Sequence, residues 1–282
     1  MTSFANSVRA GVTGGLIELR QSFTGTALIG QLLWPVATLV AIILLRDTKY
    51  GAGNVGLGGF ILPSTLGMFA ALGMVLIIQY LSADREDGTL LRAKATPNGI
   101  RGYLIGKFVT VSGSVLAYLI IILVPGLFIV GGRLDLSRPA SWLTLAWVLV
   151  LGLVATQAIG AIIGSLISSP RGASYLSFPV IGLITISGIF YPITALPGWL
   201  QGIGQVFPIY WLGLGMRSAL QPTSAVNIEI GQSWRHLETA GVLGLWVAFG
   251  LIVAPIVIRR MTRRESGSKF IERRDQALQR SR

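Results

Sequence analysis

The charged residues of this chain leave six long windows that contain no Asp, Glu, Lys or Arg. The windows are 21–45, 50–83, 108–132, 139–170, 172–216 and 239–258. A helix needs about 20 mostly apolar residues to cross the hydrocarbon core of a bilayer, so each window can hold at least one crossing. Only 12% of the 282 residues are charged, against roughly 25% in soluble domains. The windows therefore predict an all-α integral membrane protein.

The distribution of basic residues indicates how often the chain crosses. We place spans near 27–45, 57–81, 104–130, 142–168, 174–192 and 239–258. With six spans and both termini cytoplasmic, 17 of the 23 Lys and Arg residues lie inside, eight up to Arg171 and nine in the tail. Seven spans would break the positive-inside rule. We predict one multi-pass transmembrane domain over 1–282 in the cell membrane, with a six-span bundle at 27–258 and a basic cytoplasmic tail at 259–282 that attracts membrane lipids.

Two segments outside the spans have recognisable patterns. Apolar residues recur every three or four positions near the N-terminus, at Phe4, Val8, Val12, Leu16, Leu19 and Phe23. This spacing predicts an amphipathic helix over 1–26 at the membrane interface, although four glycines leave a disordered tail as the alternative. In 193–238, Pro197 and Pro208 divide apolar pieces that are too short to cross. They predict a re-entrant or interfacial helical hairpin on the outer face, or else a packed apolar cap.

Several kinds of chemistry are disfavoured. No charged residue falls in the centre of a predicted span, where a proton or ion relay would need one. The chain has no G-x-x-x-x-G-K-[ST] phosphate-binding motif and no cysteine, and its single histidine, His236, lies in a predicted outer loop. No catalytic, cofactor-binding or metal site is expected in this chain. Uphill transport would therefore take its energy from another subunit.

The loop after the second span, 85–99, carries the sharpest motif. Gly88 can end the helix that leaves the membrane, Thr89 can cap a new one, and Pro97 can stop it. Leu90 and Leu91 would form its apolar side, with basic residues opposite. Such a helix can insert into a groove of a partner, whereas the alternative is a solvated loop that only sets topology.

The same loop allows two other functions. Asp84, Asp87 and Arg92 resemble the opening of the metal-binding motif of phosphatidyl-alcohol transferases, but the next acidic residue after Asp87 is Asp135. Half of such a site should not hold a metal pair. A phosphatidyl-alcohol transferase-like membrane enzyme and a non-transporting membrane scaffold are the alternative functions.

The loop closely resembles the first cytoplasmic loop of type-two ATP-binding-cassette (ABC) exporter permeases, including the daunorubicin-resistance-permease-like subunits. Their pattern is approximately R-E-x-G-T-L-x-R-L-x-x-T-P. This chain matches at Arg85, Glu86, Gly88, Thr89, Leu90, Arg92, Thr96 and Pro97, and departs at Ala93. Further matches, after the fifth span, are Tyr191, Pro192, Pro197, Trp199, Pro208 and Arg217.

The resemblance implies a permease that pairs with a second copy or a related permease and with two cytoplasmic ATPase subunits, which bind ATP and Mg²⁺. The helix in 85–99 would be the coupling helix that docks on the ATPase, and Asp87 and Leu91 would belong to the same coupling segment. Glycines 102 and 106 allow close helix approach, either within the chain or between copies. An uncharged path suits a drug, lipid or glycolipid, and its candidate polar residues are Gln79, Tyr80, Gln157 and Thr185.

Overall fold

The computed structural model describes residues 2–50, 55–96, 98–167 and 170–264, which form a bundle of helices. Five helices in these ranges are long and apolar enough to cross a membrane. They are α2 (Ala27–Leu45), α3 (Leu57–Glu86), α5 (Gly99–Val130), α6 (Pro139–Leu166) and α11 (His236–Arg264). They coincide with the predicted first, second, third, fourth and sixth spans. Pro97 and the tail beyond residue 264 lie outside the described residues.

Shorter elements connect these helices. The remaining α-helices are α1 (Thr2–Ser22), α4 (Thr89–Lys94), α7 (Pro170–Tyr175), α8 (Ser177–Ile186), α9 (Gly198–Val206) and α10 (Pro208–Leu220). Turns of 3₁₀-helix occupy Gly131–Arg133, Ile193–Ala195, Thr223–Ile228 and Ile230–Gln232. Two-residue strands, β1 (Lys49–Tyr50) and β2 (Val55–Gly56), pair antiparallel between α2 and α3. This pairing is a small departure from the all-α prediction.

The predicted fifth span, 174–192, is a broken segment and not one long helix. The apolar helical stretch there is Gly172–Ile186, about 22 Å long at 1.5 Å per residue, and the hydrocarbon core is roughly 30 Å thick. Beyond Ile186 the backbone turns, because Gly188 has a φ of +63° and approaches Ile193 closely. The described residues therefore contain one long helix fewer than the six that the sequence predicts.

The centre of the bundle is α3. Its apolar window is 72% buried, whereas that of α2 is 11% buried. α3 packs against α5, α6 and α10. A Cβ atom on Gly67 would lie 2.9 Å from the Cα of Gly213, so α3 and α10 meet backbone to backbone. α2 lies at the periphery, with apolar side chains such as Trp34 exposed.

The N-terminal helix forms as predicted, but its packing face coincides only in part with the predicted apolar stripe, of which Leu19 and Phe23 pack against the bundle. α1 packs on α5 through Gly11 and Gly15, which are buried. Leu16, in the predicted stripe, is 53% exposed. Glycine makes the closer contact because it has no side chain to hold the two backbones apart.

Candidate functional site

The loop predicted to contain a short helix does contain one. α3 ends at Glu86, and Gly88 then adopts a left-handed φ of +73°, which costs glycine little. α4 follows, with Arg92 N donating to Gly88 O at 3.1 Å. The prediction that Thr89 caps this helix is wrong. Gly88 holds the capping position, and Thr89 Oγ1 accepts a hydrogen bond from Arg92 Nη2 at 3.0 Å.

The two faces of α4 differ in polarity. Leu90 is only 2% exposed and belongs to the apolar core, and Leu91 is half-buried. The exposed residues in and around the helix are Glu86, Asp87, Arg92, Lys94 and Thr96. α4 is therefore anchored by its leucine face and presents a mixed-charge surface.

Arg85, one residue before this surface, points inward. The residue is 7% exposed, and its guanidinium donates to Ser165 O at 2.8 Å and to Ile167 O. These carbonyls lie at the end of α6, where a helix leaves acceptors without backbone partners. Arg85 thus joins the end of α3 to the end of α6, and does not belong to the exposed surface of α4.

A charge cluster that the sequence did not predict lies beside α4. Lys107 Nζ, on α5, is 2.5 Å from Glu18 Oε1 on α1 and 2.8 Å from Asp84 Oδ2 on α3. Tyr103 OH donates to Asp84 Oδ2 at 2.7 Å, and Thr110 Oγ1 donates to Glu18 Oε2 at 3.3 Å. One buried ammonium therefore bridges three helices. No local pattern could pair Glu18 with Lys107, which are 89 residues apart in sequence.

Close backbone contact holds α1 at this cluster. A Cβ atom on Gly11 would lie 2.4 Å from Gly102 O, and one on Gly15 would lie 2.5 Å from Gly106 O. The Gly102 and Gly106 pair, for which the sequence left two alternatives, thus packs within the chain.

A groove of about 640 Å³ opens between α1, α4 and α5. Its walls include Ser7 and Gly14 from α1, Thr89 and Ala93 from α4, and Asn98 from the turn before α5. Members of the charge cluster also line it. The region of the predicted coupling helix is therefore a recessed surface built from three helices.

Towards the other end of the bundle, α9 and α10 follow one another with Phe207 between them, and α10 packs along α3. Pro208 and Ile209, at the start of α10, line the same cavity of about 100 Å³ as Met74 and Ile78. Met74 is about 25 Å along α3 from Leu57, at 1.5 Å per residue. The junction of α9 and α10 is thus far from Leu57, where α3 begins.

Two tryptophans satisfy the carbonyls at the end of α9. Trp211 Nε1 donates to Gln205 O at 2.6 Å, and Trp246 Nε1 donates to Val206 O at 2.9 Å. The ring of Phe207 stacks on Trp246, with centroids 6.2 Å apart. The last carbonyls of a helix have no backbone partner within that helix. The indoles supply those partners.

The other residues predicted for the outer segment begin its turns. Pro192 O accepts from Ala195 N at 3.0 Å, and Pro197 O accepts from Leu200 N at 2.9 Å. Tyr191 OH donates to a carbonyl of α8. Trp199 is 68% exposed.

Arg217, in α10, forms a fully buried ion pair. Its Nε is 2.6 Å from Glu229 Oε1, and both side chains are 1% exposed. The guanidinium also lies 5.1 Å from the centre of the Phe60 ring and donates to Ile189 O at 3.4 Å. The sequence indicated Arg217 but not its partner, so the pair is a finding of the structure.

The loop between α5 and α6 is hydrogen-bonded to the end of α10. Asp135 N donates to Leu220 O at 2.8 Å, and Asp135 O accepts from Ser141 Oγ at 3.0 Å. The hydrogen bond from Ser137 Oγ lowers the pKa of Asp135, and the nearby Arg138 guanidinium lowers this pKa further. The carboxylate therefore holds the loop in shape.

The four candidate path residues have different surroundings. Gln79 and Thr185 are exposed. The Tyr80 ring lies 5.0 Å from Lys107 Nζ, beside the charge cluster. Gln157 is buried, and its amide donates to a serine of α5 at 2.8 Å. Gln157 thus has a partner that joins α6 to α5, and a path through these residues stays a prediction.

Comparison with known families assigns the chain. Residues 40–257, most of the chain, match the model of the ABC-2 family transporter proteins. No curated protein matches the chain. The matched region runs from the end of α2 into α11 and includes the loop with α4 and the outer hairpin. The chain therefore belongs to the ABC-2 transporter family, as a multi-pass membrane permease subunit of an ABC transporter.

Proposed function

We propose that this chain is the permease of an ATP-driven exporter and that a separate ATPase docks on α4. The observation that supports this proposal is the exposed, mixed-charge face of α4. The buried leucine face anchors α4 to the bundle between α3 and α5. The ATPase subunits hold ATP and Mg²⁺ and act on a dimer of permeases. Closure of the ATPases pushes α4 and tilts the attached spans.

The chain crosses the membrane six times in this proposal. α7, α8 and residues 187–192 together make the fifth crossing, and both termini are cytoplasmic. The buried contacts of the interrupted segment support this arrangement, since Ile189 and Ile193 are 0% exposed. Irregular backbone is tolerated at membrane depth where protein covers it.

The cargo is a hydrophobic or amphiphilic molecule such as a drug, lipid or glycolipid, and the hairpin of α9 and α10 flanks its outer exit. The buried length of α10 and the depth of the hairpin turn support a place for it beside the path. Gln79, Tyr80, Gln157 and Thr185 are candidate contacts.

The transferase alternative has less support. Asp84 is bound to Lys107 and Tyr103, whereas Asp87 is exposed. In the part of the chain that the structure describes, no three His, Asp or Glu residues are grouped to hold a metal ion.

The docking role can be tested in vesicles that contain the permease and its ATPase. Leu91→Asp and Glu86→Ala alter α4 and should lower transport roughly tenfold per ATP hydrolysed, while the amount of inserted permease is unchanged. Glu238→Ala is the matched control, since its side chain is 51% exposed at the outer end of α11. Full transport by both α4 variants would refute the docking role.

The topology can be tested separately, because the chain has no native cysteine. Ala95→Cys, after α4, and Ser233→Cys, before α11, place thiols at exposed positions. A membrane-impermeant maleimide applied to sealed cells should label position 233 and not position 95. The opposite pattern would overturn the orientation.

A further inference from the structure

We propose that Lys107 is a positioning residue that locks α1, the end of α3 and the start of α5 into one unit around α4. In this unit, a push on α4 also moves α1. The inference rests on the proposed docking role of α4, and it assigns the N-terminal helix a part in force transmission.

Lys107 is the residue whose ion pairs link the three helices of the unit. Its side chain is 6% exposed, and its two carboxylate partners come from different helices. A buried ammonium needs charged partners, so the separation of α1 or α3 from α5 would leave charge without compensation. Tyr103 donates to Asp84 and fixes the orientation of that carboxylate, and Thr110 Oγ1 lies within hydrogen-bond distance of Glu18 and of Gly15 O, both on α1.

The shape of the contact prevents α1 from sliding on α5. The backbones touch at Gly11 and Gly15. One turn further along α1, Leu19 packs against Gly113. A Cβ atom on Gly113 would lie 2.3 Å from Leu19 Cδ2. If α1 moved along α5, side chains of one helix would collide with the backbone of the other. The ion pairs and the glycine contacts therefore oppose the same displacement.

The position of α4 allows the unit to transmit a displacement. α4 lies between Asp84 and Lys107 in sequence, and it packs against both α3 and α5. Four residues, 23–26, join α1 to α2. Tyr118 OH, on α5, donates to Gln31 on α2. A displacement of α4 is thus carried to α2 through α1 as well as directly to α3 and α5.

Distance measurements can test the unit independently of transport. Spin labels on Ala10→Cys in α1 and Ala95→Cys after α4 occupy exposed positions. In the reconstituted complex, we expect one narrow distance distribution that is the same without nucleotide and with trapped ATP. Lys107→Met should broaden that distribution and make it depend on nucleotide. Lys107→Arg, which keeps the charge, should restore most of the wild-type distribution.

Transport assays supply the second readout. Lys107→Met should lower transport per ATP hydrolysed by roughly tenfold, and Glu18→Gln, which weakens only the α1 contact, should lower it less. A wild-type distance that changes with nucleotide as much as in Lys107→Met would overturn the rigid unit. Loss of ATPase association in every variant, wild type included, would instead refute the docking role of α4.

Discussion

The two ends of the bundle hold buried charge in different ways. At the α4 end, Lys107 shares two carboxylates, and the side chain of one of them, Glu18, is 34% exposed. At the opposite end, Arg217 and Glu229 form a pair with both side chains 1% exposed. The first arrangement joins three helices, whereas the second fixes one helix to one loop. A shared cluster suits three helices that move together as one body, and a dry pair suits a fixed attachment of one loop.

The largest expected effect is at the outer pair. Arg217→Met leaves Glu229 buried without its cation, which should destabilise the fold by about 3–5 kcal/mol. Arg217→Met combined with Glu229→Met removes both charges and should recover most of that loss. Thermal unfolding of purified protein in detergent measures both.

Lys107→Met is the comparison for this experiment. Its loss of stability should be smaller, because Glu18 can be hydrated and Tyr103 still donates to Asp84. Equal losses from Arg217→Met and Lys107→Met would remove the contrast between the two ends.

The glycine contact of α1 gives an intermediate effect. Gly15→Ala places a Cβ atom 2.5 Å from Gly106 O and should cost about 1–3 kcal/mol, because an overpacked site must shift its backbone. A Cβ atom on Gly14 would meet no other atom within 4 Å. Gly14→Ala should therefore be neutral or slightly stabilising. Thermal unfolding of the two variants gives the comparison, and equal behaviour would show that α1 does not pack closely on α5.

The smallest effect is expected in the hairpin. Trp246→Phe keeps an aromatic ring beside Phe207 but removes the donor to Val206 O. We expect a loss of about 0.5–1.5 kcal/mol, the net contribution of one hydrogen bond, because Val206 is 58% exposed. Trp199→Phe is the matched control, since that ring is 68% exposed. If the two variants melt at the same temperature, Trp246 does not satisfy the hairpin backbone.

Local patterns are sufficient to predict the long helices and α4. Uninterrupted apolar windows specify helices such as α5, and Gly88 marks the start of α4 because its backbone conformation is costly for other residues. The broken fifth segment has the same apolar composition as the intact spans. Its turn at Gly188 depends on packing against Ile193, which a hydropathy pattern does not contain.

The charge clusters can be predicted only in part. Arg217 is indicated by its place in the outer segment, but its pairing with Glu229 requires the fold of the intervening loop. In the sequence Lys107 counts only as a cytoplasmic basic residue, because its partners lie on α1 and α3. The motif places Arg85 on the coupling surface, whereas its side chain contacts the end of α6.

Site-specific photocrosslinking tests the docking of the ATPase most directly. A photoreactive residue at Arg92, on the exposed face of α4, should crosslink to the ATPase in the assembled transporter, and one at Ser233 should not. Crosslinking from position 233 with none from position 92, or full ATP-driven transport by the permease without any ATPase, would contradict the account.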